Sequence, residues 1–520
     1  MIISKIRRFR QTKLWLTTIN LIIIIVALNL IVNLIPINFD LTSNKIHSLA
    51  PATKEILGQV DDLVTIKAFV SSNIPPQLIP LKETLENLLD QYQRAGHGKI
   101  KVIWLDPQKD EKAKNEALSL GIRPIQFSSL QKDQFQVVQG YFGLAVFFAG
   151  EKQVIPALQE ISNLEYQITA TINRLGQKEL PKIGFGTGVE ELTSDRLKKV
   201  RQLLELSYQI ESVDLSQDGA KFDPEIKALI VIGPKAKFSQ AAKLIIDQYL
   251  MRQKGVLLLL DPVSVAEGLV AKQIDNDLDQ FLNHFGIKVN QVLVVDPSSA
   301  FANFRTEYGN FIIPYPLWVK VRRENIARDL PPTASLESAV LPWVASLELS
   351  QGAKPLLQST PQATTIKSFA NLAPTRDWNA INQERKQQVL AALQTNKTTS
   401  FFKEEPDQVD ELVKKVGLDQ LIKETKTVKL AVVADSDLVE DQTINSYPEN
   451  VQFFLNLVDY LSQDTKLISI RSKTVFSRPL KIISDQEKQT IKIINLASGP
   501  LVLALLGLSV RWRRKRQKLS

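Results

Sequence analysis

The chain has 520 residues, 44% hydrophobic and 23% charged, with 3 His and no Cys. That length holds about two to four domains, each large enough to bury its own core. The missing cysteine excludes disulfides, thiolate-held metals, iron–sulfur clusters and a thiol nucleophile, and three histidines as scattered as His47, His97 and His284 leave little for an imidazole metal site or a catalytic dyad.

A net charge of +9 points to a nucleic-acid binder until its location is read. Residues 1–13 carry Lys5, Arg7, Arg8, Arg10 and Lys13, and residues 511–520 carry Arg511, Arg513, Arg514, Lys515, Arg516 and Lys518. Removing those eleven cations leaves the remainder at −2, so the body does not suit nucleic acid. Each tail flanks a long apolar run. Residues 14–37 hold no ionisable group and centre on Leu21-Ile22-Ile23-Ile24-Ile25-Val26-Ala27-Leu28, long enough for the ~20 residues of a membrane-spanning helix. The apolar core exceeds that of a signal peptide and no small-x-small cleavage site follows it, so an uncleaved anchor is expected. At the other end, residues 491–510 contain the 18 uncharged residues Ile493 to Val510, interrupted by Pro500 and closed by Arg511-Trp512-Arg513-Arg514. A basic cluster after an apolar run marks a cytoplasmic end, so both tails are expected in the cytoplasm and the body between them on the other face of the membrane.

In chain order, residues 38–178 alternate strand-like and helix-like segments, the pattern of α/β architecture. Leu63–Val70 reads as a strand, and Leu81, Leu85, Leu88, Leu89 and Tyr92 then recur at helical spacing. Strands follow at Lys99–Leu105 and Gly140–Phe148, and Ile161, Leu164, Ile168, Ile172 and Leu175 mark a second amphipathic helix. Gly176 to Pro181 punctuates a boundary. Residues 179–328 form a second α/β unit, with strands at Lys182–Phe185, Ile210–Leu215, Ala228–Ile232, Val256–Leu260 and Val292–Val295, and a helix through Leu197, Val200, Leu203 and Leu204. Several of these are continuous apolar runs, as parallel strands buried on both faces require. Residues 329–420 are Pro-, Ser-, Thr- and Gln-rich without periodicity and read as irregular with short elements. Residues 421–490 return to order with a strand at Val428–Ala434 and a helix through Val451, Phe454, Leu457, Val458 and Leu461, completing the second domain.

Candidate sites are few. Gly184-Phe185-Gly186-Thr187-Gly188-Val189-Glu190-Glu191 sits between strand and helix, the setting of a dinucleotide fingerprint, yet Glu190 and Glu191 stand where a pyrophosphate needs bare N–H groups. A tight turn with helix-N-terminal acids fits better. Asp106-Pro107, Asp261-Pro262 and Asp296-Pro297 each close a strand; they are turn and cap residues, or they line a crevice at the carboxyl ends of the strands. Asp435-Ser436-Asp437 has the same two readings, with a weak oxygen-ligand metal site as the functional one. No G-x-x-x-x-G-K-[ST], H-E-x-x-H or G-x-S-x-G occurs, so no catalytic residue, cofactor or metal ligand is assigned.

Several segments together resemble the GldG-like proteins, auxiliary components of ABC-type transport systems associated with gliding motility. They are Phe39-Asp40-Leu41-Thr42 with Lys45, Ser48-Leu49 and Thr53-Lys54; Leu164-Glu165-Tyr166-Gln167-Ile168-Thr169; Val231-Ile232-Gly233-Pro234; Leu258-Leu259-Leu260-Asp261-Pro262; and Asn450 with Phe453-Phe454-Leu455-Asn456 and Tyr460-Leu461. The family often has Gly-His-Gly-Glu where this chain reads Gly186-Thr187-Gly188-Val189-Glu190, so no role of that histidine transfers. The resemblance implies a second domain similar to class I glutamine-amidotransferase-like, flavodoxin-like folds, whose active members use a cysteine that is absent here. It also implies a non-catalytic auxiliary subunit of an ABC-2-type system, an integral membrane protein whose partners are a permease, a cytoplasmic ATPase and membrane lipid. Two alternatives stay open: a hydrolase of envelope polymers using carboxylates such as Asp261 and Asp296, about 5–10 Å apart in a cleft, and a membrane-anchored scaffold or binding protein without a transporter.

Overall fold

The computed structural model describes residues 48–462, with breaks at 75–77, 132–133, 159–163, 177–179, 217, 307–308, 368–370, 379–380, 382–383 and 405, and isolated positions between 20 and 24 and between 470 and 507. The tails, the apolar runs 14–37 and 491–510, and the segment Phe39 to His47 lie outside the described residues but for a few positions. Among the described residues, no helix is long and apolar enough to cross a membrane.

The first lobe runs α1 (Pro51–Gly58), β1 (Val64–Val70), α2 (Ile79–Ala95), β2 (Ile100–Leu105), α3 (Glu111–Ser119), β3 (Ile125–Gln131), β4 (Gln134–Gly140), β5 (Phe142–Phe148), β6 (Glu151–Ile155) and α4 (Leu164–Gly176). Its sheet has the order β2-β1-β5-β6. β1 and β2 are parallel, from Val64 opposite Ile100 to Phe69 opposite Leu105, and α2 supplies the crossover that a parallel pair needs. Leu81, Leu85, Leu89 and Tyr92 all point from α2 into the core, which is why that spacing was legible as a helix.

The second lobe begins with β7 (Lys182–Thr187), α5 (Lys198–Leu204), β8 (Gln209–Asp214), β9 (Ala228–Ile232), α6 (Gln240–Met251) and β10 (Gly255–Leu259). An insertion follows: β11 (Val263–Ala266), β12 (Val270–Gln273), α7 (Asp279–His284), β13 (Ile287–Val289), β14 (Leu293–Val295), β15 (Ser299–Thr306), β16 (Gly309–Arg322), β17 (Ser338–Pro342), β18 (Leu347–Leu349), β19 (Lys354–Gln358), β20 (Thr364–Ile366), β21 (Val389–Gln394), β22 (Thr398–Thr399), α8 (Pro406–Lys415) and β23 (Glu424–Thr425). The lobe closes with β24 (Lys429–Val433), α9 (Asp441–Ser446) and α10 (Glu449–Ser462).

Five parallel strands in the order β8-β7-β9-β10-β24 form the heart of this lobe. Numbered by sequence, that is the 2-1-3-4-5 order of flavodoxin-like sheets, with its switch point between β7 and β9. β9 and β10 are buried along their whole length, as apolar strands covered on both faces must be. β21 and then β18 extend the sheet antiparallel beyond β24. Strand 293–295 does not join it; it pairs antiparallel with β20, above a small core of its own built on Leu293, Tyr315, Leu317, Ile366 and Trp378.

Residues 329–420, irregular by sequence, contain β17 to β22 and α8. These strands are short, and several find partners far along the chain, such as β18 on β13 and β20 on β14. Runs that short carry too few alternations to show a period.

Candidate functional site

The carboxyl edge of the parallel sheet gathers the 184–191 loop, Asp261 and the Asp435-Ser436-Asp437 segment that sequence reading had singled out. The loop after β7 is held to the loop after β9: Leu192 N donates to Ile232 O at 3.0 Å, and Lys235 N and Ala236 N both donate to Val189 O at 3.0 Å. Val189 N in turn donates to Glu191 Oε2 at 3.1 Å. The crevice at the switch point is thus filled by buried Val189 and Leu192 rather than left open. The β7 glycines serve packing. A Cβ on Gly184 would stand 2.5 Å from Val213 Cγ2, and one on Gly186 would stand 2.7 Å from Leu215 Cδ1 and 2.9 Å from Val231 Cγ2.

One strand further on, two of the resemblance segments meet the Asp-Ser-Asp segment. Ser436 N donates to Asp261 Oδ1 at 2.6 Å, and Ser436 Oγ donates to Asp261 Oδ2. Gly233 lies against the same serine, in the left-handed region at φ +59, where a Cβ would come within 2.7 Å of Ser436 Oγ. Asp435 is 1% exposed. Its carboxyl accepts from Asp437 N at 2.8 Å through Oδ1, while Oδ2 is buried without a partner. Glu440, also buried, forms an ion pair with the half-exposed Arg196.

The electrostatics follow from gathering four carboxylates, two buried and two half-buried, beside one guanidinium. Burial first, then the neighbouring Asp437 and Asp261, hold Asp435 well above the usual carboxylate range. Burial, then Asp261 and Glu440, do the same to Asp437. Asp261 is pushed up to about 6, chiefly by burial, with the Ser436 hydrogen bonds opposing. Among the described residues no group of three or more His, Cys, Asp or Glu is arranged to hold a metal ion.

The other Asp-Pro aspartates are turn and cap groups. Asp106 accepts from Ser72 N and Gln108 N, both at 3.0 Å; burial opposes its ionisation, but these hydrogen bonds hold its carboxyl below the usual range. Asp296 is fully buried and fully bonded, accepting from Ser298 N, Thr360 N and Thr360 Oγ1. Asp261 and Asp296 thus hold different partners, Ser436 and Thr360. His284 Nε2 sits 2.8 Å from Thr399 O, and His97 is exposed in a turn.

Arg196 and Glu440 were not foreseen, although the acids at 435, 437 and 440 directly after a strand were a signal. Asp247 was also missed. It lies in α6, whose residues from Ala241 to Met251 are all buried. Its carboxyl accepts from Ser400 Oγ and Phe401 N, both at 2.8 Å, and from Gln248 Nε2. At the opposite, amino edge of β7 to β9 lies a groove of about 1200 Å³, lined by Arg174, Lys182, Arg201, Glu205, Glu225 and Lys227. Lys182 and Glu225 pair with each other there.

The remaining resemblance segments are structural stitches. Glu165 Oε1 accepts from Ala50 N at 2.6 Å and from Thr53 Oγ1 at 2.7 Å, which joins Ser48–Lys54 to Leu164–Thr169. Buried Asn450 bonds Val340 N and O and Leu438 O, tying α10 to β17 and to the turn after β24.

The second lobe is thus a doubly wound α/β body with an acidic carboxyl edge. Residues 180–463, more than half of the chain, match the family described as an ABC-type uncharacterized transport system, and the chain belongs to that family. Residues 43–147 match a domain of unknown function, DUF7088. An uncharacterized protein of Borreliella burgdorferi is 24% identical over 525 residues, covering 96% of this chain and 97% of that protein. Among solved structures, the mmIFT52 N-terminal domain aligns with a TM-score of 0.35 at 17% identity, over 54% of this chain and 97% of that one.

Proposed function

We propose that this chain is a non-catalytic, GldG-like auxiliary subunit of an ABC-2-type transport system. Residues 14–37 and 491–510 span the membrane, both termini are cytoplasmic, and the two-lobed body lies on the far side, docked on a multi-span permease and through it linked to a cytoplasmic ATPase. The family match over residues 180–463, which assigns an auxiliary role in ABC-type transport, carries this reading. The sequence supports it in three ways: it lacks a phosphate loop and leaves ATP hydrolysis to another chain, its eleven flanking cations orient both runs alike, and the near-neutral body favours shape-based contacts. Among the described positions within the apolar runs, Ile23, Ile24, Ile493, Ile494 and Leu496 are exposed large apolar side chains that a bilayer would cover.

Mild-detergent affinity purification of the tagged full chain is expected to recover a permease and an ATPase at near-stoichiometric amounts. Reporters fused at Ser520 and inserted near Gly352 are expected to report opposite compartments. A chain that repeatedly purifies alone ends the transporter reading, and reporters in one compartment end the two-span reading.

A further inference from the structure

The acidic edge connects mechanically to the seam between the lobes. Asp441 follows Glu440 directly, and its carboxylate caps the start of α5, accepting from Lys198 N at 3.2 Å and Lys199 N at 2.9 Å. Arg196, in the turn before α5, reaches Glu440 from the other direction. Segment 435–441 therefore grips the N-terminal end of α5 at two points. α5 also forms one wall of a groove of about 520 Å³ between the lobes, where Lys199, Leu203 and Val451 face Gln153, Ile155 and Gln167.

We propose that Asp261, Asp435, Asp437 and Glu440 form a proton-held latch that fixes segment 435–441 against α5, and that loss of the proton at rising pH releases α5 and opens the groove between the lobes. The geometry asks for that proton. Asp435 Oδ2 is buried with no donor. Asp437 lies beside Asp261 and Glu440, carboxyls that repel one another when all are ionised. The facing cations are Arg196, half exposed and paired with Glu440, and the exposed Lys235 from the loop after β9, near Asp261. One close guanidinium against four carboxylates leaves a repulsion that a proton on Asp435 or Asp437 relieves. Burial at this edge raises Asp261, Asp435 and Asp437, so the closed form binds the proton more tightly than the open form. Closure is favoured at low pH and lost as pH rises through about 6 and above, the direction set by Asp261 at about 6 and by Asp435 and Asp437 higher still.

This inference does not depend on the transport reading, and its test needs no partner. Hydrogen exchange of the purified full chain, corrected for intrinsic rates, is followed from about pH 5 to about pH 8. Opening of residues 194–204 and 435–441 is expected to rise at least about tenfold, the equivalent of one pH unit of coupling, while β9 and β10 stay unchanged. Asp435→Asn keeps an acceptor for Asp437 N, cannot ionise, and is expected to hold both segments at the low-pH level throughout. Should that variant not fold, Asp437→Asn tests the same cluster with the same expected result. Opening independent of pH in the unaltered chain, or a dependence that survives both substitutions, overturns the latch. Protection regained at about pH 8 on adding calcium would instead make the cluster a cation site and overturn it as well.

Discussion

At Gly186 the cost of a single methyl is set by Leu215 Cδ1 and Val231 Cγ2, which already occupy the space a Cβ needs. Both are core side chains with little room to withdraw, so Gly186→Ala is expected to lower stability by about 1–3 kcal/mol. Urea denaturation with an unchanged midpoint would remove this packing account of the β7 glycines. Asp247 shows the other residue-scale effect. Burial pushes its carboxyl up to about 6, against the hydrogen bonds from Phe401, Ser400 and Gln248. The folded state thus holds this proton more tightly than the unfolded chain, where the group titrates near 3.9. Its contribution to stability is most favourable below about pH 4, falls as pH rises through about 6, and is level above, a swing on the order of 2–3 kcal/mol. Asp247→Ala is expected to flatten that part of the stability–pH curve. At neutral pH it also orphans the Phe401 N–H and the Ser400 hydroxyl, costing about 1–3 kcal/mol. A variant whose curve keeps the wild-type slope between pH 4 and 6 would assign that slope to other groups.

Among the elements, α1 shows how a short helix is held by another. Its N-cap is Ala50, which offers no side-chain acceptor. Glu165 of α4 takes the Ala50 N–H instead, as the N3 carboxylate of a capping box does, but from a different helix. Thr53 and Tyr92 complete the arrangement, with Tyr92 OH donating to Glu165 O at 2.9 Å and also bonding Thr169 Oγ1. Losing two hydrogen bonds to a charged group costs about 2–4 kcal/mol. Limited proteolysis of Glu165→Ala is expected to cut first within residues 48–58; a cutting pattern like that of the unaltered chain would count against the clamp. Glu165 and Thr53 both lay in segments that the sequence marked by resemblance, but 112 residues separate them, and nothing local announces that they touch. The same distance effect divides what was legible from what was not. β9, β10 and α2 were read nearly residue for residue, because continuous burial and a helical stripe are properties of adjacent residues. The short strands between 338 and 366 pair antiparallel, β18 and β20 with distant partners, and left no periodic trace. At the acidic edge, Asp261 and Ser436 lie 175 residues apart with the whole insertion between β10 and β24 intervening, so the sequence named both segments without showing that they form one cluster.

For the molecule between residues 48 and 462, the decisive element is α4, because its two faces serve two cores. Leu164, Ile168 and Ile172, four residues apart, enter the core of the first lobe. Tyr166 and Ala170, half a turn away, enter the core of the second. α1 divides in the same way, with Leu57 in the first core and Ala52 and Ile56 in the second. Both elements nearest in sequence to the apolar runs, α1 and α10, thus reach the larger core, α10 through Val451, Phe454, Val458 and Leu461. A force applied at either end of the body is carried into one packed unit rather than into a loose tether. Such shared helices make the lobes unfold together, since neither core is complete without α4. Scanning calorimetry of the full chain is therefore expected to show one transition for the body. Tyr166→Ala removes a buried ring from the seam at a cost of about 3–5 kcal/mol, by analogy with other buried aromatics. That loss falls on the contact between α4 and the second core, while Leu164, Ile168 and Ile172 keep the first core intact. The expected outcome is a split into two transitions, the smaller from the first lobe. A single transition that only moves to lower temperature would show that the lobes are coupled elsewhere, through α1 or across the groove beside β6.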